Sequence, residues 1–219
     1  MRQLHRCGIV AVLVLSLVQL GAPSAMARTS SPVDESRLVP ALSPSFAPWT
    51  CQMKLGGPVC KGARHVSSDW GPFDFGCGDT QLWVRGTSDR YQTRFYNKDY
   101  LDFYRKFRTD DVDYLGTSPI GPAKATISTK VRFWETFAVP GDDRTRTVTT
   151  QGLLWYIRST HAGAVWRAVG TLVEPPDAVG TFSGYVTTAG RTTRFVNTPL
   201  PEVLSDDTFV AEVCAAMSG

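Results

Sequence analysis

Two charged side chains stand in rows that should be apolar. Along Leu101 to Phe107, alternate positions put Leu101, Phe103, Arg105 and Phe107 on one face, and along Val131 to Phe137 they group Val131, Phe133, Glu135 and Phe137. Successive side chains of a strand point to opposite faces, so each row carries one charge, of opposite sign, among hydrophobic neighbours. Charges removed from water are costly unless they are paired. An Arg105 to Glu135 pair, bidentate if the strands face each other, is expected either to anchor the polar end of a ligand or to plug the interior. A β-bulge would instead turn one row over and bring Tyr104 or Trp134 inward. Tyr91, Trp155 and Trp166 lie in other strand-like runs and, with Phe103 and Phe133, supply an aromatic lining suited to one small apolar or amphipathic ligand.

The catalytic inventory is thin. Beyond the N-terminal segment only His65 and His161 remain, and the chain has no GxSxG elbow, no HExxH and no glycine-rich phosphate loop following a strand. Ser67, His65 and Asp69 form a triad by residue type alone, crowded together in sequence without a supporting motif. Asp110, Asp111 and Asp113 offer oxygen ligands but lack the spacing and glycine of a calcium loop, so they read as a solvated cluster. No catalytic residue, cofactor or metal is expected.

The elements that must position these residues are strands. Thr145 to Val173 reads as a long hairpin whose polar turn ends in Gly163, with arms rich in β-branched and aromatic residues. Arg90 to Phe95 alternates Tyr91, Thr93 and Phe95 against Arg90, Gln92 and Arg94, and Leu101 to Phe107 and Lys130 to Phe137 repeat the pattern. Shorter strands are expected at Ala63 to Ser67, Thr181 to Thr187 and Thr192 to Asn197. Glycine and proline clusters at Gly116 to Pro122, Pro140 to Asp143 and Pro175-Pro176 separate the runs as loops. Eight or nine strands at near-regular spacing give an all-β fold, an antiparallel up-and-down barrel with bends at Gly152, Gly170 or Gly184; a β-sandwich is the alternative. A short helix should follow Ser205-Asp206-Asp207, with Phe209, Val210, Val213, Cys214 and Met217 on one face.

Arg2 and Arg6, the apolar run Cys7 to Leu20 and the small-residue site Ala25-Met26-Ala27 form a secretory signal peptide over residues 1–27, too short in its core to span a bilayer. Residues 28–50 read as a mobile Pro/Ser-rich leader in which Phe46 and Trp49 are placed to dock, and residues 51–219 as one domain. Removing Arg2 and Arg6 from 23 basic residues leaves 21 against 20 acidic ones, a net charge of +1. That balance gives no electrostatic case for nucleic acid or an anionic membrane. In an exported chain Cys51, Cys60, Cys77 and Cys214 should form two disulfides rather than a metal site. Of three connectivities, Cys51 to Cys60 and Cys77 to Cys214 fit best, the first closing a loop through Gly56-Gly57-Pro58 and the second holding the C-terminal segment to an early strand.

The segments PVCKGARHVSSDWGPFDFGCG at 58–78, TQGLLWYIR at 150–158 and DDTFVAEVCAAM at 206–217 resemble secreted single-domain proteins of unknown function from high-GC Gram-positive bacteria. The resemblance implies a disulfide-tied, lipocalin-like β-barrel and carries over no catalytic residue. The favoured reading is a secreted, monomeric, non-enzymatic barrel holding a small apolar or amphipathic ligand in its lumen, without membrane insertion after cleavage. Two alternatives are a cyclase- or isomerase-type enzyme using an interior carboxylate such as Glu135, and an interaction or inhibitor module acting through the loops at Gly116 to Pro122 and Pro140 to Arg144.

Overall fold

Alternating burial and short turns produce nine antiparallel strands in one sheet. The computed structural model describes residues 32–218, so the expected signal peptide and the first residues of the expected leader lie outside the described residues. The strands are β1 (Thr50–Lys54), β2 (Gly57–Cys77), β3 (Thr80–Tyr96), β4 (Asp102–Gly116), β5 (Ala125–Phe137), β6 (Arg146–Ser159), β7 (Gly163–Glu174), β8 (Thr181–Thr188) and β9 (Arg191–Pro199). They pair in sequence order, each with its predecessor, as expected of an up-and-down all-β chain. Helix α1 (Asp206–Met217) follows the last strand.

The core face divides into two halves. Ile127, Val131, Ile157, Trp166, Ala168, Phe182 and Val186 of β5 to β8 form the main hydrophobic core with Leu82, Leu115 and the buried helix residues Val213, Ala216 and Met217. The Ser205 hydroxyl accepts from the Thr208 N–H to cap α1, and Asp206 and Asp207 place negative charge where the helix dipole favours it. Phe209 reaches back to Trp155 and Trp166, with ring centroids 6.2 and 6.0 Å apart. The Cys77–Cys214 disulfide ties the helix to the end of β2. Its loop of 137 residues disfavours the unfolded chain by about 5 kcal/mol in the chain-entropy account. Cys51 and Cys60 are bonded directly across β1 and β2, so both expected pairings form.

Glycines shape the apolar half. Gly152, Gly170 and Gly184 oppose one another across β6, β7 and β8. A Cβ at Gly170 would come within 2.3 Å of the Ser183 carbonyl oxygen, and one at Gly184 within 2.2 Å of that of Val169. The bare backbone lets the fully buried Phe182 ring lie against it.

The leader is the first correction to the sequence reading. Residues 33–49 are not a loose spacer; they pack over the polar half of the core face. Leu38 is 3% exposed and clusters with Cys60, Tyr96 and Tyr100, backed by Val33, Leu42 and Trp49. Val39 forms a parallel bridge to Leu101, donating to the Tyr100 carbonyl at 2.9 Å and accepting from the Asp102 N–H at 2.8 Å. Phe46 and Trp49 crowd Gly62, where a Cβ would fall 2.6 Å from the Phe46 carbonyl oxygen. No periodic pattern marked this segment because it lies down as irregular chain, held by isolated apolar anchors rather than a repeating face.

If the leader belongs to the folded unit, Leu38→Ala should lower the unfolding free energy by about 2–4 kcal/mol, as truncation of a buried leucine does. Urea denaturation measures it; a change within about 0.5 kcal/mol, the ordinary surface value, would show that the leader does not fold with the sheet.

Candidate functional site

The two rule-breaking charges do meet. Arg105 and Glu135 stand directly opposite across β4 and β5, and both are buried. The guanidinium is not a two-pronged partner to Glu135 alone, because three carboxylates share it. Nη1 donates to Glu135 Oε2 at 3.0 Å, Nε to Asp102 Oδ2 at 2.6 Å and Nη2 to Asp143 Oδ1 at 2.8 Å. Arg146 Nη1 approaches the other Glu135 oxygen at 3.5 Å, and the Phe137 ring lies beneath Arg105, 4.7 Å from centroid to guanidinium carbon.

A bulge decides who joins the cluster. Phe95 opposes Tyr104 but Tyr96 opposes Asp102, which leaves Phe103 as the extra residue. Asp102 turns inward with no exposed surface while Phe103 turns out, 41% exposed. Phe103 is therefore not a lining residue. The backbone of Asp102 also fastens its surroundings, since its carbonyl accepts from the Gly141 N–H at 2.8 Å while its own N–H holds Val39. Burial pushes the Asp102 carboxyl above the usual range, against the pull of Arg105 and Arg94. Burial likewise raises the Tyr96 hydroxyl.

Tyr91 is the second misplaced residue. It lies on the outer face, 53% exposed, because the buried row of β3 is Gln92, Arg94 and Tyr96. The alternation was legible but its sense was inverted, since polar residues face the core here. The leader makes that tolerable: Arg94 Nη1 donates to the Ala41 carbonyl at 3.0 Å and the Tyr96 hydroxyl to that of Pro40 at 3.2 Å.

The remaining aromatics are inside, in or against the main hydrophobic core. Phe133 stacks on Phe107, 4.2 Å between centroids. Trp155 stacks on Trp166 at 5.6 Å, beneath α1. Trp166 opposes Ile157, which opposes Ile127. Glu135 lies on the same strand as Ile127, about 27 Å away at ~3.4 Å per residue. The expected lining thus divides in two, Arg105 and Glu135 in the ion cluster and Phe133, Trp155 and Trp166 in or against the main hydrophobic core.

A third location has the shape of a binding site. Between the core face of the β8–β9 hairpin and the segment 202–212 lies a cleft of about 720 Å³. Val186, Phe195 and Val203 supply apolar surface; Arg191, Glu202 and Glu212 supply charge; Thr188, Thr193 and Thr208 supply hydroxyls. Burial pushes the Glu212 carboxyl up. The hairpin and the helix cap are both readable in sequence, but nothing in either says that one faces the other.

The lesser candidates resolve simply. His65 Nδ1 lies 2.7 Å from Asp89 Oδ1 across β2 and β3, exposed, so its carboxylate partner is Asp89 rather than Asp69. Asp110 pairs with Lys130 at 2.9 Å and Asp111 with Arg90 at 2.8 Å, so two of the three clustered acids are matched to cations. Among the described residues no group of three His, Cys, Asp or Glu side chains is placed to hold a metal, and no helix is long and apolar enough to cross a membrane. No protein-family model, no curated protein and no solved structure matches this chain.

Arg105→Met should cost about 3–5 kcal/mol, because it leaves Asp102, Glu135 and Asp143 facing one another without their shared cation; equilibrium unfolding in urea checks this. Asp102 carries a pH signature. Its folded value is raised above the unfolded one, so its stabilising contribution is complete below the unfolded value and is lost as pH rises through the folded value. The deficit of Asp102→Asn relative to the parent should therefore shrink as unfolding is measured from acid toward neutral pH. A deficit that grows over that range would contradict the assignment.

Proposed function

We propose that this protein is an exported, barrel-like binder of one small amphipathic molecule, and that the molecule sits in the cleft between the β8–β9 hairpin and α1. The observation that carries this reading is the cleft itself: about 720 Å³, within the size range typical of small-molecule sites, with apolar residues and a few charged groups in its lining. Export is supported by the N-terminal segment read from sequence and by the two disulfides, which suit an oxidising compartment.

The lining favours a ligand with two ends. Phe195, Val186 and Val203 present a surface for an alkyl or ring body. Two carboxylates against one guanidinium leave the lining acidic when all are ionised, which suits a cationic or hydrogen-bonding head. Arg105 and Glu135 are poor candidates for the same task, because the guanidinium is shared among three carboxylates and Glu135 faces Arg105 and Arg146. For the same reason Glu135 serves to hold Arg105 in place rather than to carry a proton, and the binding reading is preferred to an enzymatic one.

Decylammonium and decanoate, which share a tail and differ in head charge, test the proposal. Titration calorimetry should show saturable binding of decylammonium, weaker binding of decanoate, and loss of both in Val203→Trp, which fills the cleft. Native mass spectrometry of the protein recovered from a secreting host, before and after denaturation, should release a small molecule from the parent and none from that variant. Absence of saturable binding, or equal binding by the filled variant, would overturn the proposal.

A further inference from the structure

The outer face of the sheet across β2 to β5 carries cations that no carboxylate of the described residues holds. Lys61 opposes Thr93, which opposes Lys106, which opposes Trp134. In the neighbouring row Tyr91 opposes Arg108, which opposes Arg132. Lys61, Lys106, Arg108 and Arg132 are all exposed, and among the described residues none of them forms a salt bridge. The nearest row of acids is already matched, Asp89 with His65 and Asp110 with Lys130.

Two features set this patch apart from an ordinary solvated face. Arg108 and Arg132 are directly opposite across antiparallel strands, an arrangement that is destabilising for like charges. The cations are also interleaved with rings: Lys106 lies 5.8 Å from the Phe95 centroid and 5.5 Å from that of Tyr104, and Arg108 lies 6.0 Å from that of Tyr91. A groove of about 390 Å³ lies at the β4–β6 side of the patch, lined in part by Tyr104, Lys106, Arg132, Trp134 and Gln151. Rings standing among unpaired cations offer stacking and charge to one partner at once.

We infer that this face binds an anionic polysaccharide. A polymer with a negative charge on successive rings would relieve the Arg108 to Arg132 repulsion, and the apolar faces of its sugars would lie on Tyr91, Tyr104 and Trp134. A single-stranded nucleic acid has comparable chemistry, with bases in place of sugars. The glycan is preferred because both disulfides suit an oxidising, extracytoplasmic setting, where acidic glycans are the abundant polyanions. This surface is on the opposite side of the sheet from the β8–β9 cleft, and the inference does not depend on the ligand proposed there.

The probe is polygalacturonate, with its fully methyl-esterified form as the uncharged control and oligothymidylate as the competing class. The parent protein should bind polygalacturonate with an affinity that falls steeply as salt is added, and should not bind the ester. The double variant Arg108→Ser/Arg132→Ser and the single variant Tyr91→Ala should each lose about tenfold or more in affinity, in keeping with the loss of cation contacts and of a stacking ring. The double variant should be as stable as the parent or more so, because it removes a like-charge pair, and its urea midpoint separates lost binding from lost folding. Undiminished binding by the variants, equal binding of the ester, or tighter binding of oligothymidylate would overturn the inference.

Discussion

A guanidinium cannot give up its proton to escape burial, so an arginine placed inside a sheet must gather acids around it. Arg105 does so from three directions: Asp102 on its own strand, Glu135 on the next, and Asp143 in the loop that follows. Each contact fixes more than a charge. Asp102 reaches the interior only through the bulge that expels Phe103, and its backbone holds both the leader at Val39 and the β5–β6 loop at Gly141. One buried cation therefore sets the register at the start of β4, seats the leader and closes a loop. The cost of desolvating it explains why the surrounding chain is so fully committed.

The rest of the molecule can be described by what covers the core face. Where β3 presents Arg94 and Tyr96, the cover is irregular chain, and its carbonyls at Ala41 and Pro40 accept from those side chains. Where β5 to β8 present isoleucine, tryptophan and phenylalanine, the cover is an amphipathic helix whose own backbone groups are satisfied internally. Each cover suits the half it protects. A disulfide lies beside each, Cys51 to Cys60 next to the leader and Cys77 to Cys214 in the helix. At the β8–β9 end the cover is incomplete and a cleft remains. The functional reading follows from this division, because the residues that looked most like ligand anchors are used in fastening one cover and the open space lies beside the other.

Sequence and tertiary structure contributed different things, and particular residues show where the line falls. Local rules sufficed for the strands from β3 onward, the helix start at Ser205 and the opposition of Arg105 to Glu135, because each depends on neighbours within a few residues or on a strict alternation of two; β1, and most of β2 beyond Ala63 to Ser67, were not legible, because their glycines, prolines and serines read as turns. Cysteine parity and loop composition sufficed for the disulfides. The sense of β3 was not legible: alternation says that Tyr91 and Gln92 face opposite ways but not which way is in, and the leader's carbonyls, some fifty residues earlier in the chain, made the polar side the buried one. Nor was the bulge at Phe103, since one extra residue shifts every face beyond it without altering composition. Asp143 in a turn, and Phe195 and Glu212 on separate elements, became neighbours of a site only through the packing of distant segments. The sequence by itself determined the all-β class, most of the strands and the covalent ties, because these follow from local periodicity and chemistry. Which residues are buried together, and where space is left between them, was decided only by the tertiary structure, because burial depends on what covers a face and not on the face alone.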